Sequence, residues 1–513
     1  MKKRAISILL VIAALIMSVS CGSRSGAGTT GVEEYIDFSQ EPVTITYLTI
    51  GDKPTNGQTE KVMEKINALL LKNLNAKLDI YYIGWDNYLA NYNKALDNGE
   101  VDIDLVGTGA DWLDMWPNVQ RGNFLALSED MLKKYCPQTY ANVSGAQWQA
   151  CSLDGNIYVI PENEYNQWTN HGFIYRKDIL DESGLSDIKT WEDLTTYLAF
   201  VRYNYPGMIP WDADGTNTIV SLGYLTSKSD YIPIYEVTTY GLFGAYSHDK
   251  KTIVSPFYTG DDYTNYAKLM KRWDQMGVWR EDLSLAEDND IEFYADESAL
   301  LQHHTQNFYT EIKPKMDVIM PNAEVGFFWF GKDTGNLIRN SILHGAMAVH
   351  SKSKNPERAL MVYDFLRNNE ECYRLIRYGI EGKQYSVNSK GMLEKPSGYN
   401  ADRDSMTTNF WWGRRDEYEL LDSAASWKEY YDLVEDYERV AVEYPWDEIP
   451  FSAAVDQQIL EDVVAVCDKY VPAIAYGKYE AEPEEEIALF RQKLKEAGIE
   501  TLIRQLQAAL DNR

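Results

Sequence analysis

Apolar runs of two different periodicities alternate through the first part of the chain. The segments 43–49, 78–83 and 101–106 are short and apolar, as buried strands are, whereas 58–74 and 85–96 carry apolar residues at helical spacing. Strands that are separated by helices are joined by crossovers, which place the strands parallel in one sheet. The sequence therefore predicts an α/β fold that begins with a mostly parallel sheet.

The same alternation continues beyond the turn signal at Asp154-Gly155. Strands are predicted at 156–160 and 172–175. Farther along, Thr190 and Asp193 precede an apolar run in the pattern of a helix N-cap with an acidic residue at its third helical position. The α/β pattern therefore extends beyond the first sheet.

The first residues predict export and attachment to a membrane. Lys2, Lys3 and Arg4 precede an apolar run that ends at Cys21. This run of about 15 residues is typical of a secretory signal and too short for a membrane-spanning helix, which needs roughly 20. The cysteine after small residues resembles a bacterial lipobox. We predict a signal peptide over 1–20 and a flexible tether over 21–41 that is lipidated, for example with palmitate, at Cys21; a protein secreted without a lipid is the alternative.

The charge of the chain restricts its partners. The formal net charge is −29 at pH 7, and loss of the signal peptide makes it more negative. Such a surface repels phosphate groups, so we predict no nucleic-acid binding and no membrane contact except through the lipid. Cysteine and histidine lack the spacing of a zinc site, and we expect a monomer with no metal and no cofactor. Cys136 and Cys151 either pair or remain buried thiols.

Several stretches, in this order and spacing, resemble the extracellular solute-binding lipoproteins of ABC transporters. The resemblance is to the family 1-like, carbohydrate-binding type, and within it to the long Gram-positive branch that carries a C-terminal extension. The matching stretches are 102–105 with Asp111-Trp112 and 122–127, 153–161 with 174–178, 340–350 with 379–385, and the tail from 449 to 513.

This resemblance implies a periplasmic-binding-protein-like fold, in which two α/β lobes are joined by hinge strands around a cleft. Because the chain of such proteins crosses between lobes more than once, neither lobe is continuous in sequence. We assign 42–165 and 336–380 to lobe one and 166–335 and 381–448 to lobe two. A helical extension over 449–513 is expected to pack on lobe two.

A sugar site needs carboxylates or amides for hydroxyl groups and aromatic rings for the C–H faces. Asp111 and Trp112 supply both directly after a predicted strand, where open α/β sheets bind ligands. The alternative for Asp111 is a helix N-cap. Between two strands at the predicted lobe crossing lie Asn166, Trp168 and Asn170, of which Trp168 is either a stacking platform or a cover over the hinge.

Other candidates for the ligand site come from the predicted second lobe. Trp211 and Trp411 are possible stacking platforms; of the adjacent Trp411 and Trp412, at most one can face the cleft. The remaining candidates are His304, Asn307, Glu381 and Tyr385. For each of them, ordinary packing or surface exposure is the competing interpretation.

The resemblance implies a binding protein that is not an enzyme. It would hold a carbohydrate, in particular an oligosaccharide, at the extracellular face of the cell membrane and deliver it to an ABC permease. A surface glycosidase with a carboxylate pair and a sensory binding protein for a membrane kinase are the two alternatives.

Overall fold

The computed structural model describes residues 33–162, 171–213, 219–238, 240–283, 289–339, 341–446 and 449–512. Helices and short sheets surround two large hydrophobic cores, one in each lobe. This arrangement agrees with the predicted α/β fold.

The elements follow one another along the chain in three stretches. The first contains β1 (Val43–Ile50), α1 (Gln58–Leu74), β2 (Ala76–Ile83), α2 (Tyr88–Asn98), β3 (Leu105–Thr108), α3 (Met115–Gln120), α4 (Glu129–Tyr135), α5 (Pro137–Asn142), α6 (Gly145–Ala150), β4 (Ser152–Leu153), β5 (Asn156–Ile157) and β6 (Val159–Pro161). The second contains β7 (His171–Arg176), α7 (Lys177–Glu182), α8 (Trp191–Asn204), α9 (Ile219–Lys228), β8 (Tyr231–Pro233), β9 (Gly244–Tyr246), β10 (Asp249–Val254), α10 (Asp262–Met276), α11 (Asn289–Tyr294), β11 (Leu300–His304), α12 (Thr305–Asn307), α13 (Lys313–Ile319), β12 (Val325–Trp329) and β13 (Leu337–Ile338). The third contains β14 (Ala346–Val349), α14 (Pro356–Asn368), α15 (Glu370–Tyr378), β15 (Ser386–Val387), β16 (Leu393–Glu394), α16 (Ala401–Asp404), α17 (Trp427–Val440), β17 (Ala441–Val442), α18 (Phe451–Ala454), α19 (Gln457–Ala475), α20 (Pro483–Ala497) and α21 (Ile499–Asp511).

A five-stranded sheet with the order β2-β1-β3-β14-β6 forms the centre of the first lobe. β1 runs parallel to β2 over its whole length, from Val43 opposite Ala76 to Ile50 opposite Ile83, and also parallel to β3. β14 returns from the second lobe and lies antiparallel between β3 and β6. The predicted parallel order is therefore confirmed, and the carboxyl ends of β1, β2 and β3 meet at one edge of the sheet.

In the second lobe, β7 lies between β11 and β12 and is antiparallel to both. The predicted cap of α8 is present, since Thr190 accepts from the Asp193 backbone and the Asp193 side chain accepts in return. Helices α19, α20 and α21 share the core of this lobe. The short helix α18 reaches the first lobe, where Gln120 Nε2 donates to the Ala453 carbonyl at 2.8 Å.

The segment between α16 and α17 corrects the predicted lobe boundaries. Phe410 and Trp412 are buried in the first-lobe core, and the Asn409 carbonyl accepts hydrogen bonds from Tyr47 and Thr49 of β1. Assigning all of 381–448 to lobe two was therefore wrong. These contacts join residues more than 300 positions apart, and no local pattern indicates them.

Cys21 and the rest of the predicted tether up to residue 32 lie outside the described residues. The lipid anchor therefore remains a prediction. Within the described ranges, no helix combines the length and the apolar character that crossing a bilayer requires. Cys136 and Cys151 are buried free thiols, and burial raises the pKa of both.

The packing of Gly107 against Trp412 gives a first test of this fold. A Cβ at Gly107 would overlap the Trp412 indole, whereas a Cβ at Gly145, in α6, would meet open space. We expect Gly107→Ala to lower the free energy of unfolding by about 1–3 kcal/mol and Gly145→Ala to be neutral or slightly stabilising. Thermal and urea unfolding of both variants measure this; equal stability of the two would contradict the described position of Trp412.

Candidate functional site

The loops after β1, β2 and β3 carry the polar and aromatic side chains that first suggest a binding site. Asp52 follows β1, Trp85 follows β2, and Asp111 and Trp112 follow β3. Trp85 is 48% exposed, which is unusual for such a large apolar side chain. The carboxyl ends of the parallel strands therefore present an exposed indole beside carboxylates, at the edge where open α/β sheets bind ligands.

Three tryptophans form an aromatic surface at this edge, which we call the indole platform (Trp85, Trp112 and Trp411). Trp85 stacks on Trp411 with ring centroids 6.0 Å apart and an angle of 22° between the planes. Trp112 stacks on the buried Trp412 at 5.5 Å and donates from Nε1 to the His344 carbonyl at 2.9 Å. Packing therefore orients the rings of the platform, and a hydrogen bond also holds Trp112.

Asp111 is held by a histidine from the chain segment that returns to the first lobe. His344 Nδ1 donates to Asp111 Oδ2 at 2.7 Å, and both side chains are partly exposed. The other carboxylate oxygen has no partner among the described residues. α3 begins only at Met115 and Asp114 is its N-cap residue, so the N-cap alternative for Asp111 was wrong.

Opposing effects act on the pKa of His344 and of the nearby Glu162. Burial lowers the pKa of His344, but the charge and hydrogen bond of Asp111 and the charge of Glu162 raise it above its ordinary value. Burial raises the pKa of Glu162, against the opposing charges of Arg377 and His344. The pKa of each group is therefore raised overall, that of His344 by neighbouring carboxylates and that of Glu162 by burial.

The second lobe contributes a pair of uncharged imidazoles. His171 begins β7 and His304 ends β11, the two are opposite each other in the ladder, and their ring centroids lie 3.9 Å apart. Burial lowers the pKa of both, and nearby His303 and His344 lower it further, to about 3 for His304. Because the charge of His344 acts on both rings, this imidazole pair lies on the side of the second lobe that is near the Asp111–His344 pair.

In the part of the chain that the structure describes, no three or more His, Cys, Asp or Glu side chains form a group that could hold a metal ion.

Comparison with protein families identifies the chain. The family described as bacterial extracellular solute-binding protein matches residues 61–379, more than half of the sequence. The chain belongs to this family. A second family, described as a domain of unknown function, matches residues 452–512, which contain α19, α20 and α21.

Relatives and solved structures agree with this assignment. A carbohydrate ABC transporter substrate-binding protein of Streptococcus pneumoniae is 22% identical over 392 residues, covering 75% of this chain and 73% of the relative. The N-glycan transport solute-binding protein of the same species superposes with a TM-score of 0.71 at 18% identity, covering 92% of this chain and 98% of the other. The alginate-binding protein AlgQ2 superposes with a TM-score of 0.67 at 16% identity, covering 92% and 99%. The predicted two-lobed fold is confirmed.

The structure places the candidates that were predicted in the second lobe in different parts of this solute-binding protein. Trp211 is fully buried and packs edge-on against Phe173 in the second-lobe core, so its prediction as a stacking platform was wrong. Trp411 belongs to the first lobe and joins the indole platform, whereas Trp412 is buried. His304 lies at the lobe boundary.

Glu381 and Tyr385 line a separate cavity of about 760 Å³ between α1 and α15. None of the residues that line it belongs to the indole platform or to the Asp111–His344 pair, so the structure does not bring these two candidates to that site. Asn307 Nδ2 donates to Glu311 on the second lobe at 3.5 Å, and within the described ranges no contact joins it to the platform. The candidates Asn166, Trp168 and Asn170 lie outside the described residues.

Sequence reasoning missed Trp85, Glu162, His171 and His344. The signal for Trp85 was available, because it follows a predicted strand as Asp111 follows another. His344 had no such signal, since its role depends on the return of β14 to a strand more than 200 positions earlier.

The lowered pKa values at the lobe boundary predict loss of stability in acid. Below the ordinary imidazole pKa of about 6.5, the unfolded chain binds protons at His171 and His304 that the folded chain does not. Their contribution to the free energy of unfolding is therefore complete above that pH and declines as the pH falls. For His304 the decline continues down to its folded-state pKa of about 3. The effect of His344 on stability has the opposite pH dependence. Its contribution to the free energy of unfolding is complete below about pH 6.5 and is lost as the pH rises through its raised pKa.

We expect the melting temperature to fall when the pH is lowered from 7 to 5. The fall should correspond to a loss of about 1–2 kcal/mol in the free energy of unfolding for each of the two histidines. A His171→Gln, His304→Gln double variant should show a smaller fall. The control His248→Gln changes an exposed histidine elsewhere in the second lobe and should behave as the wild type. An unchanged acid response in the double variant would contradict the boundary described above.

Proposed function

We propose that this solute-binding protein captures an oligosaccharide on the indole platform and delivers it to an ABC permease. The observation that carries this proposal is the exposed Trp85, stacked on Trp411, beside the Asp111–His344 pair. Indole faces stack on the C–H faces of sugar rings, and the carboxylate and imidazole hydrogen-bond to hydroxyl groups. The groups that make both kinds of contact lie together at the strand ends.

The names of the relatives support the same ligand class. One is described as a carbohydrate ABC transporter protein, and crystal structures of the N-glycan transport protein contain Man1GlcNAc and Man5GlcNAc. The description of that relative as an ABC transporter protein also supports delivery to the permease subunits of such a transporter. The ligand would be released unchanged, because capture needs only reversible contacts from two lobes that close around it.

The sequence supports a location at the extracellular face of the cell membrane. In this proposal the signal peptide is removed before Cys21, and a lipid on that cysteine holds the monomeric protein near its permease. Export of a Cys21→Ala variant into the medium instead of the membrane fraction would support the anchor.

A ligand panel tests the proposed capture. We expect the chain from Gly22 onward to be stabilised in thermal shift by Man5GlcNAc or by short gluco-, manno- or xylo-oligosaccharides, because a ligand that binds only the folded state raises its stability. Each stabilising sugar is recovered and analysed by mass spectrometry. Conversion of the sugar would contradict a non-enzymatic role, and stabilisation by peptides alone would contradict the ligand class.

The platform gives a more local prediction. Trp85→Ala should weaken binding of the stabilising sugar by about tenfold to a hundredfold, since it removes a stacking face without opening the core. Tyr203→Ala is the matched control, because Tyr203 is an aromatic residue of the second lobe that is 86% exposed. Isothermal titration of both variants should separate them; equal affinities would show that the sugar does not use Trp85.

A further inference from the structure

The backbone at His344 is fixed to the strand-end loop that carries Asp111. Ala110 N donates to the Leu343 carbonyl at 2.8 Å, and Trp112 Nε1 donates to the His344 carbonyl at 2.9 Å. A Cβ at Gly109 would collide with that carbonyl, so the close approach requires glycine there. The histidine is thus held beside the indole platform although it lies on the segment between β13 and β14.

The imidazole ring has one occupied nitrogen and one available nitrogen. Nδ1 faces Asp111 Oδ2 at 2.7 Å, and because a carboxylate only accepts, Nδ1 carries a hydrogen. Nε2 has no partner among the described residues, and the side chain is 32% exposed. The ring centroid lies 6.3 Å from that of Trp112. The available nitrogen therefore belongs to an oriented group at the edge of the platform.

We propose that His344 binds the ligand directly, donating from Nε2 to an acceptor oxygen of the sugar while Asp111 holds Nδ1. The inference rests on the proposed carbohydrate function and adds a specificity-determining residue to it. Asp111 then orients the ring and stabilises its charge, as a carboxylate commonly does for a functional histidine.

The surrounding charges favour the doubly protonated ring. Burial works against the charge, but Asp111 and Glu162 outweigh it and raise the pKa of His344. From the second lobe, His171 and His304 have lowered pKa values and add no positive charge at neutral pH. Arg377 acts on Glu162, as do Arg414 and Arg367.

This assignment requires a particular pH dependence of binding. Only the charged ring offers a hydrogen at Nε2 while Nδ1 donates to Asp111. Affinity should therefore be high at and below the pKa of His344 and fall as the pH rises through it. Above that pKa the dissociation constant should rise toward tenfold per pH unit.

Two substitutions separate the two nitrogens. His344→Asn keeps an amide near the position of Nδ1 and loses the Nε2 donor, whereas His344→Gln places an amide near Nε2 and loses the Asp111 link. We expect His344→Asn to weaken binding by about tenfold to a hundredfold and His344→Gln by less. Neither variant should retain the pH dependence of the wild type.

Isothermal titration between about pH 6 and 9 provides the measurement, with whichever of Man5GlcNAc and the short gluco-, manno- and xylo-oligosaccharides binds most tightly. Glu162→Gln should keep the pH dependence of binding but move it to lower pH, because the charge of Glu162 raises the pKa of His344; loss of the pH dependence in this variant would assign it to Glu162 instead. His248→Asn is the matched control, because His248 also pairs through Nδ1 with a carboxylate, Asp230, at 2.6 Å but lies on an exposed turn of the second lobe. This variant should retain both the affinity of the wild type and the pH dependence of its dissociation constant.

The outcomes distinguish the two proposals. Sugar binding that is independent of pH, that strengthens with rising pH, or that survives in His344→Asn would overturn the role of His344 and leave the proposed function intact. Failure of every sugar to bind the wild type would overturn the proposed function, and the role of His344 with it.

Discussion

The contact between residues 409–412 and the first-lobe sheet is the interaction on which the site depends. Asn409, in a left-handed conformation with φ of 48°, donates from its side chain to the Ile50 carbonyl and accepts from β1 through its own carbonyl. Trp412 then packs over Gly107, where only glycine leaves room for the indole. This anchoring places the neighbouring Trp411 against Trp85, so the platform combines residues from distant parts of the chain.

The two lobes contribute side chains of different charge to the site. The first lobe supplies a carboxylate–imidazole pair whose members stabilise each other's charge, whereas the second lobe supplies His171 and His304 without charge. Four of the six histidines in the chain, including His303, therefore gather at one boundary of an otherwise strongly acidic protein. A ligand there would meet oriented donors and acceptors whose own partners are already in place, which reduces the ordering cost of binding.

The local parts of this account were predictable and the long-range parts were not. The predicted strand at 43–49 is β1, the helix at 58–74 is α1, and the Thr190 cap is present, because each depends on neighbours within a few positions. Asp111 and Trp112 were selected by the rule that ligands bind at the carboxyl ends of parallel strands, and both do follow β3 at that edge of the sheet. Trp211 failed because an isolated tryptophan in a loop has no periodicity to reveal burial. The lobe assignment of 381–448 failed because tertiary hydrogen bonds, rather than local pattern, attach Asn409 to β1.

A crystal structure of the protein with its tightest-binding sugar would show whether the indole platform and His344 hold the ligand. We expect a sugar ring stacked on Trp85 and an acceptor oxygen of the ligand within hydrogen-bond distance of His344 Nε2. A sugar bound instead in the cavity of Glu381 and Tyr385, between α1 and α15, would contradict this expectation.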